Sequence, residues 1–290
     1  MMQNLSRHKF SCLVNGLKIT GYEFGQGPTC IMPSPGWGIS INPYALTLHK
    51  LSQNFHLVFM NSRGSGSSDK PKTIRNYTYK EMAADINGVR QYFEKKHVWL
   101  MGHSLGGVLA MQNALDYKKN IQGLILLNTY ALSDKIYFKD MEKQLYKRKN
   151  ETWFDRVMSH EEKTSNLKTN KAFETYILEM LPLYFHKLQN FYDNLHYFQK
   201  STYRLHAWRG WEASEQSSVN LLAKLARINT PTLIVSGSND FVCSPMNSFR
   251  IKDKIPHAQL VEISETGHFP WLEKPKEFFT TIRSFMKQAG

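Results

Sequence analysis

The chain has 290 residues, 41% hydrophobic and 13% aromatic, enough for a sizeable core, and it carries no repeat or low-complexity tract, which excludes a disordered protein. Thirty-seven Lys and Arg against 24 Asp and Glu give +13, a balance that favours acidic partners; the charges are scattered, and no helix-turn-helix, RNA-binding sheet or zinc-finger pattern accompanies them, so no nucleic-acid partner is expected. No stretch reaches the roughly 18 apolar residues of a membrane span, and residues 1–10 are polar and basic without a signal-peptide core, which predicts a cytoplasmic protein with no stable membrane insertion.

In chain order, residues 10–14 and 17–23 read as strands around Asn15-Gly16, a pair that fits a two-residue hairpin. An apolar run at 29–32 enters Pro33-Ser34-Pro35-Gly36-Trp37-Gly38, where prolines restrict the backbone and glycines open angles that other residues avoid. A helix near 44–52 and a strand at 55–60 precede Asn61-Ser62-Arg63-Gly64-Ser65-Gly66-Ser67-Ser68-Asp69. This small-residue turn contains neither GxGxxG nor GxxxxGK[ST], so it is a poor dinucleotide or P-loop cradle. Helical periodicity over 79–93 leads to a strand at 98–101, then Gly102-His103-Ser104-Leu105-Gly106-Gly107, a helix at 108–117 and a strand at 121–127. Alternating strands and helices predict an α/β fold with a mostly parallel central sheet flanked by helices on both faces.

From about 130 to 228 the alternation stops. The segment is helical in pattern and rich in aromatics, including Tyr137, Trp153, Tyr184, Phe185 and Trp211, and it reads as a helical cap over the sheet. The expected division is a core in two parts, 1–130 and 229–290, with the cap at 131–228 inserted between two core strands. Alternation resumes with a strand at 232–236 entering Gly237-Ser238-Asn239-Asp240. A helix at 244–254, a strand at 258–263, the turn Glu265-Thr266-Gly267-His268 and a helix over 275–288 complete the chain. Cys12, Cys30 and Cys243 are odd in number and far apart, which argues against a disulfide framework.

Ser104 lies between a strand and a helix with glycines two residues to either side, a pattern that lets a turn be sharp and leaves its hydroxyl at the tip. Asp240 and His268 also directly follow apolar strands, and the carboxyl ends of parallel strands share one sheet edge, so the three can meet. A hydroxyl needs an imidazole to take its proton, and a carboxylate fixes the tautomer of that imidazole. Asp134, beyond the preceding strand, is a rival for the acid. The other histidines lack metal-ligand spacing such as HExxH, so neither a metal nor a cofactor is expected.

Together these segments resemble the α/β-hydrolase superfamily, whose order of nucleophile, acid and histidine is the order Ser104, Asp240, His268 here. The sequence Pro231-Thr232-Leu233-Ile234-Val235-Ser236-Gly237-Ser238-Asn239-Asp240 looks like its acid-bearing strand. Gly267-His268-Phe269-Pro270-Trp271-Leu272-Glu273-Lys274-Pro275 looks like its histidine loop. The resemblance spans about 18–130 and 230 to the end, and it implies a two-step acyl transfer with the oxyanion held by the backbone N–H groups of Leu105 and Trp37. Pro35 stands where relatives often carry histidine, and Asn61 stands for aspartate in a turn taken to support the serine loop. A serine nucleophile argues against a dehalogenase or an epoxide hydrolase.

The Gly-Trp-Gly loop and its spacing to the Arg63 turn resemble esterases that cleave methyl esters of carrier-bound chains, for which +13 would suit an acidic acyl carrier protein as partner. The layout is also similar to proline iminopeptidases, which hold a peptide amino terminus with cap acids; Glu174, Glu179, Glu212 and Glu215 are the candidates. The leading expectation is hydrolysis of a small carboxylic ester with an apolar acyl group, with aminopeptidase and acyl thioesterase activities as alternatives. A non-catalytic ligand-binding member of the fold is the alternative of another class, and the intact Ser-Asp-His set argues against it.

Overall fold

Asn15 and Gly16 both take positive φ, 50° and 76°, the conformation in which a two-residue turn follows the strand twist. They join β1 (His8–Val14) to β2 (Leu17–Phe24) antiparallel, with Val14 opposite Leu17. The computed structural model describes residues 7–159, 166–214 and 219–289. The remaining strands are β3 (Thr29–Pro33), β4 (His56–Met60), β5 (Val98–His103), β6 (Ile121–Leu127), β7 (Thr232–Gly237) and β8 (Gln259–Ile263). All eight form one sheet in the order β1-β2-β4-β3-β5-β6-β7-β8, antiparallel where β2 meets β4 and parallel in every pairing beyond it.

Parallel neighbours need crossovers, and these lay helices on both faces. The period of two along the strands divides the core accordingly. Val98, Leu100, Leu124, Leu126 and Ile234 join one apolar cluster, which the helices Tyr79–Tyr92, Leu105–Asp116 and Pro245–Lys254 cover. Trp99, Met101, Ile125, Leu127, Leu233 and Val235 join the other, beneath the helices Asn42–Leu48 and Pro275–Ala289. Phe278, Ile282 and Phe285 recur at helical spacing on the terminal helix and are buried. Each such side chain contributes about 1.5–3 kcal/mol by leaving water.

One expected helix is divided. The segment predicted near 44–52 is an α-helix over Asn42–Leu48 followed by a tighter 3-10 turn over His49–Gln53. Pro43 starts it early, because a first-turn proline lacks an N–H that would have had no helical partner. Between β6 and β7 the described chain is helical, with helices at Lys135–Tyr146, Phe154–Met158, Asn170–Met180, Leu188–Gln199 and Leu205–Ala213. The three cysteines are free and buried. No helix among the described residues is long and apolar enough to cross a membrane.

Candidate active site

Strands β5, β6, β7 and β8 are consecutive neighbours running in one direction, so the residues that follow them, Ser104, Asn128, Asp240 and His268, gather along a single edge. Ser104 has φ 54° and ψ −129°, a strained conformation for a residue with a side chain. The close turn explains its glycines: a Cβ on Gly102 would lie 2.3 Å from the Gly106 carbonyl oxygen, and one on Gly107 would lie 2.4 Å from Thr129 Oγ1. The neighbouring strand end holds the strain in place. The Ser104 N–H points at the Leu127 and Asn128 carbonyls, each at 3.1 Å, and Thr129 Oγ1 donates to the Ser104 carbonyl at 2.6 Å.

Asp240 and His268 are buried and meet directly, with His268 Nδ1 2.7 Å from Asp240 Oδ2. That oxygen also accepts from Asn128 Nδ2 at 2.8 Å, while Oδ1 accepts the Val242 and Cys243 N–H groups at 3.0 and 3.1 Å. Four donors thus replace the water that the carboxylate has lost. Asp134, the rival acid, is committed elsewhere. It caps the helix Lys135–Tyr146 through the Tyr137 N–H and pairs with Arg250 at 2.7 Å, whose guanidinium holds its carboxyl below the usual range.

Three residues of the site were not singled out from sequence. Asn128 bridges Asp240 and the Gly267 carbonyl, 3.1 Å away, and its position after β6 matches that of Ser104 after β5, which is the signal that could have found it. His103 Nε2 lies 2.8 Å from the His268 carbonyl and Nδ1 lies 2.9 Å from the Tyr44 hydroxyl. A carbonyl only accepts, so Nε2 carries the hydrogen and Nδ1 accepts from tyrosine. Burial first, and then the neighbouring His268, depress the His103 pKa well below the ordinary value and keep this ring neutral. Cys243 is fully buried, and burial and the Asp240 charge push its thiol well above its usual pKa. Donor atoms of Asp240, Cys243 and His268 lie within 4.8 Å of one another, close enough to share an ion, but the carboxylate and imidazole bond directly to each other as a proton-handling pair does.

The loop carrying Trp37 lies against this turn. A Cβ on Gly36 would be 3.7 Å from Leu105 Cδ2, and one on Gly106 would be 3.3 Å from the Pro33 carbonyl oxygen. Gly36 and Gly38, with φ 75° and 78°, bracket Trp37, and Leu105 begins a helix, where an N–H has no acceptor within the helix. The Asn61 turn supports this loop: the Ser62 N–H donates to Ser34 Oγ at 2.9 Å, the Ser62 hydroxyl donates to the Ser34 carbonyl at 2.6 Å, and Asn61 Oδ1 accepts the Ile41 N–H at 2.8 Å. Arg63 is consumed beneath it by Asp85, with Nε and Nη2 each 2.7 Å from a carboxylate oxygen.

The sequence profile of the alpha/beta hydrolase fold family matches residues 35–275. The chain belongs to the α/β-hydrolase family. A proline iminopeptidase from Pestalotiopsis fici is 27% identical over 244 residues, which span 82% of this chain and 84% of that protein. An alpha/beta fold family hydrolase from Bacillus anthracis superposes with a TM-score of 0.79 at 19% identity, over 98% of this chain and 99% of that one. Est816, described as an N-acyl homoserine lactone degrading enzyme, gives a TM-score of 0.70 at 24% identity, over 95% and 99%.

In this α/β-hydrolase the helices between β6 and β7 touch each part of the edge. The Tyr184 carbonyl accepts the His268 N–H at 2.7 Å, and the Tyr184 ring lies 5.4 Å from that of His268 and 5.0 Å from Phe241. Trp211 lies 5.4 Å from Trp37, ring to ring, and the Arg204 N–H donates to the Gly38 carbonyl at 2.8 Å. Half-buried Arg148 donates to the Asn239 carbonyl at 3.2 Å, one residue before Asp240. Of the acids considered for an amino-terminus site, Glu174 pairs with Lys171 at 3.1 Å, and Glu212 is exposed with its carboxyl pKa raised by partial desolvation. Glu215 lies outside the described residues.

Proposed function

We propose that this protein is a serine hydrolase that cleaves a carboxylic ester with an apolar acyl group, and that Ser104, His268 and Asp240 act as its nucleophile, base and acid. The observation that carries the reading is a strained serine, φ 54°, at the end of β5, with a buried imidazole–carboxylate pair 2.7 Å apart at the ends of β7 and β8 in the same sheet. His268 Nε2 takes the Ser104 proton as Oγ adds to the ester carbonyl, and the Leu105 and Trp37 N–H groups hold the oxyanion. The imidazolium then protonates the leaving alcohol, which departs to leave an acyl-serine. Water, deprotonated by His268, adds to that acyl group, and collapse returns the acid and free Ser104.

Apolar acyl specificity is supported by Tyr184, Phe241, Trp37 and Trp211, whose rings flank the histidine and the glycine loop. In this reading the segment 131–228 is a cap that shapes the acyl site, with 1–130 and 229–290 as the core. The test is a series of p-nitrophenyl esters of rising chain length beside a prolyl arylamide, an acyl thioester and a methyl ester on an acidic carrier protein. Turnover of medium-length esters that disappears in Ser104→Ala is expected. Hydrolysis confined to the prolyl arylamide would replace the ester reading with an aminopeptidase, and preference for the carrier-linked ester would give the +13 charge a role. Full turnover in Ser104→Ala would overturn the mechanism.

A further inference from the structure

Glu273 ends the short helix Pro270–Glu273 just beyond His268, and its carboxylate accepts from both sides of the site. Oε1 takes the N–H of Gly267 at 2.7 Å, the residue directly before His268. Oε2 takes the N–H of His186 at 2.8 Å and the side-chain amide of Asn190 at 2.9 Å, both from the segment between β6 and β7. Burial raises the Glu273 carboxyl above its ordinary range, against the pull of these three donors and of the Arg148 charge. The donor set demands a carboxylate: both oxygens face N–H groups, and a glutamine would turn an NH2 toward one of them.

We propose that Glu273 is a positioning residue for His268, clamping the histidine turn to the cap so that imidazole and acyl site move as one body. The inference rests on reading His268 as the base. Backbone groups of Gly267 and His268 are taken on every side: the Gly267 carbonyl by Asn128, the His268 N–H by Tyr184, the His268 carbonyl by His103 and the Gly267 N–H by Glu273. Among these four partners Glu273 is the side chain that also holds the cap at two further points. Its two oxygens therefore divide the work, Oε1 toward the base and Oε2 toward the cap.

The test compares full-length wild type, Glu273→Ala, Glu273→Gln and Asn190→Ala by ester kinetics, thermal melting and the low-field proton NMR signal of His268 Nδ1–H. A misplaced base costs up to about 100-fold, so Glu273→Ala is expected to lose about 10- to 100-fold in kcat, to raise KM and to shift the low-field proton. Glu273→Gln should fall between it and wild type. Asn190→Ala should raise KM a few-fold with kcat and the low-field proton unchanged. Folded Glu273→Ala with wild-type kcat and an unmoved proton would overturn the clamp, as would losses that only track the unfolded fraction. If Glu273→Ala does not fold, wild-type kcat and proton signal in Glu273→Gln overturn it instead. Failure of the serine-hydrolase reading looks different: wild type then turns over no ester, while the proton signal still reports whether Glu273 positions His268.

Discussion

The sheet edge and the helices between β6 and β7 solve the same problem, holding side chains in place, by different means. At the edge, four parallel strands deliver Ser104, Asn128, Asp240 and His268 as neighbours, and backbone register fixes their spacing before any side chain is chosen. The helical segment has no such register with the sheet. It docks through scattered contacts, among them Tyr184 on His268, Arg148 on the acid loop, Arg204 on Gly38, Trp211 on Trp37, and His186 and Asn190 on Glu273. Changes at the edge should therefore alter kcat, whereas changes in the helices should mainly alter KM and substrate choice.

The largest expected effects lie at the edge. Ser104→Ala should lower kcat by about 10⁶-fold and Asp240→Asn by about 10⁴-fold with the melting transition nearly intact, measured with a saturating p-nitrophenyl ester. A loss confined to KM would break the distinction between the two regions. Arg63→Met should destabilise the fold by about 3–5 kcal/mol in urea, because it strands the buried Asp85 carboxylate beneath the glycine loop. Asn128→Ala removes the second donor on Asp240 Oδ2 and should cost about tenfold in kcat, one hydrogen bond to a charged group. On the helical side, Trp211→Ala should change KM a few-fold and shift the preferred acyl length while leaving kcat for the best substrate near wild type. A large kcat loss there would show that the glycine loop depends on the cap for its shape.

The smallest predicted effect concerns pH. Folded His103 resists the proton that an unfolded histidine takes up near 6.5, so below that pH the unfolded state binds more protons and stability falls as pH drops. This histidine contributes a slope of at most about 1.4 kcal/mol per pH unit. His186 and His206 are lowered too, by burial first, and add slope of the same sign. The check is therefore a difference: urea denaturation of wild type and His103→Gln between pH 5 and 7 should show a shallower acid slope in the variant, and parallel curves would count against a neutral buried His103.

Much of the edge was legible in sequence for a physical reason. A strand that ends in a parallel sheet announces itself by an apolar run and a polar break, so Ser104, Asp240 and His268 could be read from their place after such runs. The hairpin at Asn15-Gly16 and the glycines around Ser104 were equally local, since positive φ and close approach select for glycine. His103, Cys243 and Glu273 were not legible. Their importance comes from contacts across the fold, such as His103 Nε2 with the His268 carbonyl and Glu273 with Asn190, which no local pattern encodes. The helices between β6 and β7 showed their periodicity but not their docking points, because amphipathic spacing says which face is buried and not what it is buried against. Asp240 was preferred over Asp134 in the sequence by its place before His268, but what occupies Asp134, its pair with Arg250, was not legible there.

The most direct measurement is labelling with a fluorophosphonate, followed by peptide mass spectrometry. The account predicts a single adduct on Ser104 in wild type, absent in Ser104→Ala and formed far more slowly in Asp240→Asn, with labelling and ester turnover lost in step. Ester hydrolysis that continues unchanged with Ser104 unlabelled, or an adduct on another residue that accounts for the lost activity, would contradict it.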